Sequence, residues 1–276
     1  MAIRVLLSDR RPRQALESPA GNPFMSNQDH FDKDIAYHAR IAGEYDYMIT
    51  EPREFPNDLL FSKLDPQVKP GKRMLDLGCG TGQMIFRYGD RFVSITGVDH
   101  SPEMLSQAGS NMEKHGLQRV NLVRANLFDF LESDTGIYDF VSCVGCLHHL
   151  PVESIPRVFQ LGRARLKTGG ILLLAEPIDV NLDALPPEVA QWNVESIMKD
   201  RVYAVEAEDP DEAPISETFL RASLGQHGFR IVGESRGWEL FPHHWPPSDH
   251  DKQKIRELHA RYGDTGNILC LAGVAC

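Results

Sequence analysis

The sequence contains no uninterrupted apolar run approaching the roughly 20 residues that a membrane-crossing helix requires, so no bilayer span is expected. It also lacks an excess of positive charge: 29 Lys+Arg stand against 39 Asp+Glu, a net charge of -10. Broad electrostatic attraction to nucleic-acid phosphates or anionic lipid is therefore disfavoured. Cysteine is sparse and odd in number, with only Cys79, Cys143, Cys146, Cys270 and Cys276. At least three of these lie in apolar runs, which excludes a disulfide scaffold and fits a reduced, cytoplasmic compartment. Cys143 and Cys146 form a C-x-x-C, but no second pair at zinc-site spacing accompanies them. Buried packing is the simpler expectation for both, and no metal is expected. The first 24 residues carry Arg4, Arg10, Arg11 and Arg13 without the sustained apolar core of a secretory signal. Residues 1–25 are expected to form a disordered extension, with a transit peptide as the alternative, and neither an internal repeat nor a low-complexity tract is present.

What is present is an ordinary globular composition, 42% hydrophobic and 25% charged over 276 residues, enough to bury one large core. Between Asp29 and Met48, Phe31, Ile35, Tyr37, Ile41, Tyr45 and Met48 recur at three- and four-residue spacings, predicting an amphipathic helix. Pro52, Pro56, Pro66 and Pro70 then bracket a short helical piece, "NDLLFSKL". From residue 70 the texture changes. Strands are predicted at 73–77, 92–98, 120–125, 138–144 and 170–176, alternating with helices at 82–88, 102–115 and 152–166. That alternation predicts an α/β fold, a parallel sheet with helices on both faces whose ligands bind at the carboxyl ends of the strands. Further on, 186–205 reads as helical, "EAEDPDEAP" as an acidic loop and "ISETFLRASLGQHGF" as a helix. Two more strands follow, with "PHHWPPSDHDKQKIRELHARYG" inserted between them.

The first strand ends in "MLDLGCGTG" (74–82). A dinucleotide fingerprint would need glycine at 83, where Gln83 stands, and a P-loop would need a closing G-K-[ST]. Neither is met. Glycines at 78, 80 and 82 allow a ligand to approach the main chain with no Cβ in the way. Asp76 stands at the end of the first strand and Asp99 at the end of the second, where Ser101-Pro102 just beyond reads as an ordinary helix start.

This acid-x-G-x-G-x-G turn resembles motif I of the class I S-adenosylmethionine-dependent methyltransferases. "ITGVDHSPEML" is similar to the family's second motif, "CVGCLHHLP" to the LHHLP stretch of its small-molecule members, and "RARLKTGGILLLAEP" to its helix, glycine turn and fifth strand. The resemblance covers roughly residues 29–275 and implies a Rossmann-like sheet of seven strands, mostly parallel, with the last strand antiparallel. It further implies helical additions at 27–65 and 181–262 that form a lid, a core at 70–180 and last strands at 229–240 and 265–275, all in a single domain over 26–276. The implied cofactor is S-adenosylmethionine, with S-adenosylhomocysteine as product. Asp76, Gly78, Cys79, Gly80 and Gly82 would take its methionine and ribose portions, and Asp99 the ribose hydroxyls. His100 and Met104 would flank the adenine, Asn126 would stand in the slot of the family's adenine-reading aspartate, and Leu127, Cys143 and Tyr45 would complete the contacts.

Methyl transfer from a sulfonium is an in-line displacement, and a base is needed only when the acceptor must lose a proton. His148 and His149 are the candidate bases; a helix cap or core packing is the alternative for either. Tyr37, Glu176 and Trp245 are candidate acceptor contacts alongside His148. Tyr37 and Tyr45 read equally as core aromatics. "FPHHWPP" reads as a surface turn or lid rather than a metal site. The expected activity is methylation of a small-molecule O, N or C acceptor by a monomer or homodimer. The alternatives are a protein or nucleic-acid methyltransferase, or a non-catalytic regulator that binds the cofactor. The [ND]-P-P-[YFW] turn of exocyclic-amine enzymes is missing, and Cys146 lacks the preceding proline of a cytosine-C5 nucleophile.

Overall fold

The computed structural model describes residues 27–206 and 213–276. The extension expected at 1–25 and most of the acidic loop lie outside the described residues. Seven strands form a single sheet: β1 (Gly71–Leu77), β2 (Phe92–Asp99), β3 (Val120–Arg124), β4 (Tyr138–Val144), β5 (Leu166–Pro177), β6 (Phe229–Gly237) and β7 (Ile268–Ala275), ordered β3-β2-β1-β4-β5-β7-β6. The first five pair in parallel, while β7 runs antiparallel to both β5 and β6.

The strands are apolar on both faces because both faces are covered. Leu75, Leu77, Val141, Cys143, Leu172, Leu174, Leu269 and Leu271 point into one core cluster. The intervening Met74, Phe140, Leu173, Ala175, Cys270 and Ala272 point into the other. That period of two along continuous apolar runs is what makes the central strands legible. The chain steps outward from β1 to β2 and β3, then crosses back to place β4 on the other side of β1. Strand order therefore reverses between β1 and β4, and their carboxyl ends diverge around a crevice.

Around the sheet lie α3 (Gln83–Tyr88), α4 (Pro102–Lys114), α5 (Leu127–Ser133), α6 (Ile155–Arg165) and α9 (Glu217–Gln226). They are preceded in the chain by α1 (Asn27–Ile41) and α2 (Glu51–Phe61). Two short helices, α7 (Pro187–Glu195) and α8 (Ile197–Glu206), follow β5, and α10 (Asp249–Tyr262) precedes β7.

Two expectations are corrected at the amino-terminal side. The single helix predicted over 29–48 stops at Ile41, and the chain resumes as a π-helical turn at Asp46–Thr50 that runs directly into α2. Gly43 falls in the break, where the missing side chain makes helix least favourable. In turn α2 begins well before "NDLLFSKL" and incorporates Pro52 and Pro56. Pro52 sits in the first turn, where an N–H is dispensable, and both prolines are buried, so packing compensates for the hydrogen bond Pro56 cannot make. The helix expected over 186–205 is broken at Ser196, whose buried Oγ donates to the Pro242 carbonyl (2.7 Å) and accepts from the Met198 N–H (3.2 Å).

Candidate active site

A cavity of about 270 Å³ opens at the carboxyl ends of β1, β2, β4 and β5, roofed by α1, the π turn and α2. Its floor is the glycine turn. Gly78 has φ +65°, and a Cβ there would lie 2.6 Å from the Cys146 sulfur. Gly80, at φ +51°, turns its N–H to Asp99, donating to Oδ2 at 2.9 Å. The other Asp99 oxygen accepts from the Ser101 N–H (2.9 Å), so this one carboxylate joins the glycine turn to the start of α4. Ser101 in turn caps α4 by accepting from the Met104 N–H. Met104 is buried against Gly80.

Asp76 is almost fully buried, with the Ser142 hydroxyl donating to it at 2.6 Å. Burial pushes its carboxyl up to about 7; the Ser142 hydrogen bond opposes this, and the neighbouring Asp99 charge adds to it.

On the wall formed by β4 and β5, Glu176 is buried at the strand end and accepts from the main-chain N–H groups of Cys146 (3.2 Å), Leu147 (3.0 Å) and His148 (3.4 Å). Its Oε2 lies 2.7 Å from Nδ1 of His148, a buried pair. Glu176 also lines the cavity, at the position expected for an acceptor contact. Its oxygens hold the loop after β4 and orient the imidazole beside it.

The roof is tied to the floor by acids that the sequence reading did not single out. Asp34 on α1 is buried, and its carboxylate meets three imidazoles: His100 Nε2 at 2.7 Å, His149 Nδ1 at 3.2 Å and His38 Nδ1 at 3.3 Å. Burial alone would push this carboxyl up, but hydrogen bonds from His100, His149 and His38 outweigh it and hold the group well below the usual carboxylate range. His100 responds in the opposite sense: burial lowers it, but the Asp34 carboxylate more than compensates, so its net shift is upward. Asp46, in the π turn, accepts from the Thr81 hydroxyl (2.5 Å) and the Asn111 amide (2.8 Å). At the far end, Arg53 donates through Nε (2.8 Å) and Nη2 (2.5 Å) to Oε1 of Glu239, beside Trp238, Leu240 and Asn267.

Of the expected site residues, Tyr37, Tyr45, Asp76, Gly78, Cys79, Gly80, Asp99, His100, Met104, Leu127, His148, His149 and Glu176 all line this cavity. Gly82, Asn126, Cys143 and Trp245 do not. Gly82 is the left-handed N-cap of α3, and a Cβ on it would collide with Met112 at 2.3 Å. Asn126 caps α5, its side chain accepting from the Phe128 N–H at 2.9 Å, and it faces a separate surface hollow beside Phe31 and Arg157. Cys143 is fully buried in the core, its thiol pushed well up by the hydrogen bond it donates to Cys146 and by burial. Trp245 packs with Phe241 and Met198 under the roof. Its neighbours are engaged separately, His243 stacking on Trp192 with centroids 3.8 Å apart and His244 pairing with Asp251.

Residues 74–170 match the family described as a methyltransferase domain. A probable fatty acid methyltransferase of Mycobacterium tuberculosis is 31% identical over 140 residues, 50% of this chain and 32% of that protein. A ubiquinone biosynthesis O-methyltransferase of Actinobacillus pleuropneumoniae is 28% identical over 109 residues, 38% of this chain and 45% of that protein. The chain thus spans between a third and a half of these relatives' lengths. Among solved structures, the complex of DhpI with SAH superimposes with a TM-score of 0.60 at 16% identity, covering 91% of this chain and 98% of that one. A phosphoethanolamine N-methyltransferase of Haemonchus contortus gives 0.57 at 17% identity, covering 92% and 61%. Strand order agrees with the family match, and residues 74–170 carry a methyltransferase domain.

Proposed function

We propose that the protein transfers a methyl group from S-adenosylmethionine to a small-molecule O, N or C acceptor within this cavity. The observation that carries the reading is that the Asp99-braced glycine turn and the buried His148–Glu176 pair open onto one space. The residues fit the donor. Each Asp99 oxygen uses one lone pair on a main-chain N–H and retains another for a ribose hydroxyl. The glycine turn brings main chain rather than side chain to the cavity floor. The donor supplies an electrophilic methyl on a sulfonium. The protein positions the acceptor, excludes water beneath α1 and α2, and takes a proton where the acceptor must lose one. Nδ1 of His148 donates to Glu176, which places the lone pair on Nε2, the form that accepts a proton.

The roofed cavity and the acidic chain favour a small acceptor over a polymer. The names of the relatives, spanning fatty acid, ubiquinone-pathway and phosphoethanolamine methyltransferases, support small acceptors without choosing among them. A second reading is favoured by one solved neighbour described as a [4+2]-cyclase, with a TM-score of 0.52. In that case the fold is retained and the methyl is not transferred. Release of S-adenosylhomocysteine across a panel of fatty-acid, phenolic and amine acceptors separates the two. Turnover dependent on one acceptor class supports methyl transfer. Tight cofactor binding with no turnover on any member supports the second reading, and absence of cofactor binding overturns both.

Asp76 gives cofactor binding a pH dependence of defined sign. Its carboxyl is pushed up to about 7 in the protein alone, so it is partly protonated near neutrality. A cationic amino group beside it favours the ionised form, so binding releases a proton and affinity rises with pH until the carboxyl is fully ionised. Between pH 6 and pH 7 the expected gain is about fivefold. Asp76→Asn should flatten that rise in calorimetric titrations; a wild-type affinity that is level or falls over this interval contradicts the assignment.

A further inference from the structure

The three imidazoles around Asp34 exceed what is needed to hold a helix in place. They come from α1 (His38), the turn between β2 and α4 (His100) and the loop after β4 (His149), and they converge on a carboxylate that is only 8% exposed. Donor atoms of Asp34, His38 and His100 all lie within 4.8 Å of one another. We propose that Asp34, His38, His100 and His149 form a site for one divalent first-row transition metal of the zinc type, which clasps α1 to the strand ends over the cavity.

The distances support this chemistry. In a tetrahedral zinc site with bonds of about 2.0 to 2.1 Å, neighbouring ligand atoms are separated by about 3.3 to 3.4 Å. Asp34 Oδ1 already stands 3.3 Å from His38 Nδ1 and 3.2 Å from His149 Nδ1; Asp34, His38 and His100 form the preassembled part of the site, and the His149 ring, outside that group of mutually close atoms, would turn in as the fourth ligand. His100 Nε2, at 2.7 Å from Oδ2, would retreat by about half an ångström. The Nδ1 of His38 also lies 3.0 Å from the Asp34 carbonyl oxygen, and the metal would replace that contact. Three neutral imidazoles and a carboxylate are the borderline nitrogen and oxygen donors that zinc, cobalt and iron accept, and that magnesium and calcium do not prefer. The site lies on the cavity wall, with His100 directly after the Asp99 that braces the glycine turn, so its function is to hold the roof closed over that turn, and it does not depend on the identity of the acceptor.

The test uses the full chain, freed of metal with a chelator and titrated with Co²⁺ while the visible spectrum is recorded, with Zn²⁺ then added in competition. One equivalent of Co²⁺ should bind with the intense absorption of a four- or five-coordinate nitrogen and oxygen site, and Zn²⁺ should displace it. Asp34→Asn and His100→Gln should each weaken binding by at least about tenfold. His244→Gln, at a histidine whose side chain is 69% exposed, should not. Zn²⁺ should also raise the melting temperature of the wild type and of His244→Gln, and have no such effect on His38→Gln, which keeps the readout independent of whether the Asp34 variant folds. Absence of saturable uptake, uptake that survives both ligand substitutions, or uptake lost with His244 would each overturn the proposal.

Discussion

Asp99→Ala is expected to weaken S-adenosylmethionine binding by at least about a hundredfold. Two hydrogen bonds from ribose hydroxyls to an ionised acceptor are lost, each worth about 1.5 to 3 kcal/mol. A second cost falls on the protein itself, because the same carboxylate receives the N–H groups of Gly80 and Ser101, both at 2.9 Å. Without it the glycine turn loses its tie to β2 and α4 loses part of its amino-terminal anchoring. Asp99→Asn separates the two contributions, since it retains one acceptor oxygen and the shape of the side chain. Its affinity should fall between those of the wild type and the alanine variant, with a melting temperature nearer the wild type. Calorimetry on folded protein decides the matter, and an unchanged affinity in Asp99→Ala removes Asp99 from the cofactor site.

The second large effect is expected at Glu176. Glu176→Ala strands three main-chain N–H groups and the His148 imidazole in a buried place, and removal of one partner from a buried pair costs about 3 to 5 kcal/mol. Equilibrium unfolding should register that loss directly. Glu176→Gln preserves volume and one acceptor oxygen, so more of the stability survives while the charge that holds the His148 tautomer is gone. Turnover on an acceptor that must lose a proton should then fall about a hundredfold with cofactor affinity retained, as should turnover of His148→Gln. Wild-type turnover in Glu176→Gln would exclude a positioning role, and the pair would be purely structural.

The sheet was legible because its strands are apolar on both faces and bounded by glycine turns, so composition and period agree at residues such as Leu172–Ala175. The floor of the cavity was legible for a related reason: Gly78, Gly80 and Asp99 act through the main chain next to them, and local spacing records local geometry. The roof was not. Asp34 and Asp46 fall between the apolar positions that define the predicted amphipathic helix, and only the docking of α1 and the π turn turns them inward. The Arg53–Glu239 pair spans 186 positions, which no local pattern encodes. Glu176 was placed at the correct strand end, yet its partners follow from the path of the loop after β4, which a motif match does not describe. Asn126 and Gly82 illustrate the converse. Each occupies a motif position, and each is used as a helix cap facing away from the cavity wall.

The position of β7 between β5 and β6 bears on how the chain assembles during synthesis. β6 emerges from the ribosome before β7, yet among the described residues β7 is its only partner in the sheet, so it has no edge to join there until residues 268–275 are available. Glu239, which follows β6, waits with it, and so does the Arg53 contact that closes one end of the roof. A chain ending at residue 262 should therefore leave 229–237 open to protease while β1 to β5 are protected; protection of that segment in the shortened chain would contradict this order. On this order the cavity would be a late product of translation, its Arg53–Glu239 end closing after the glycine turn that forms its floor.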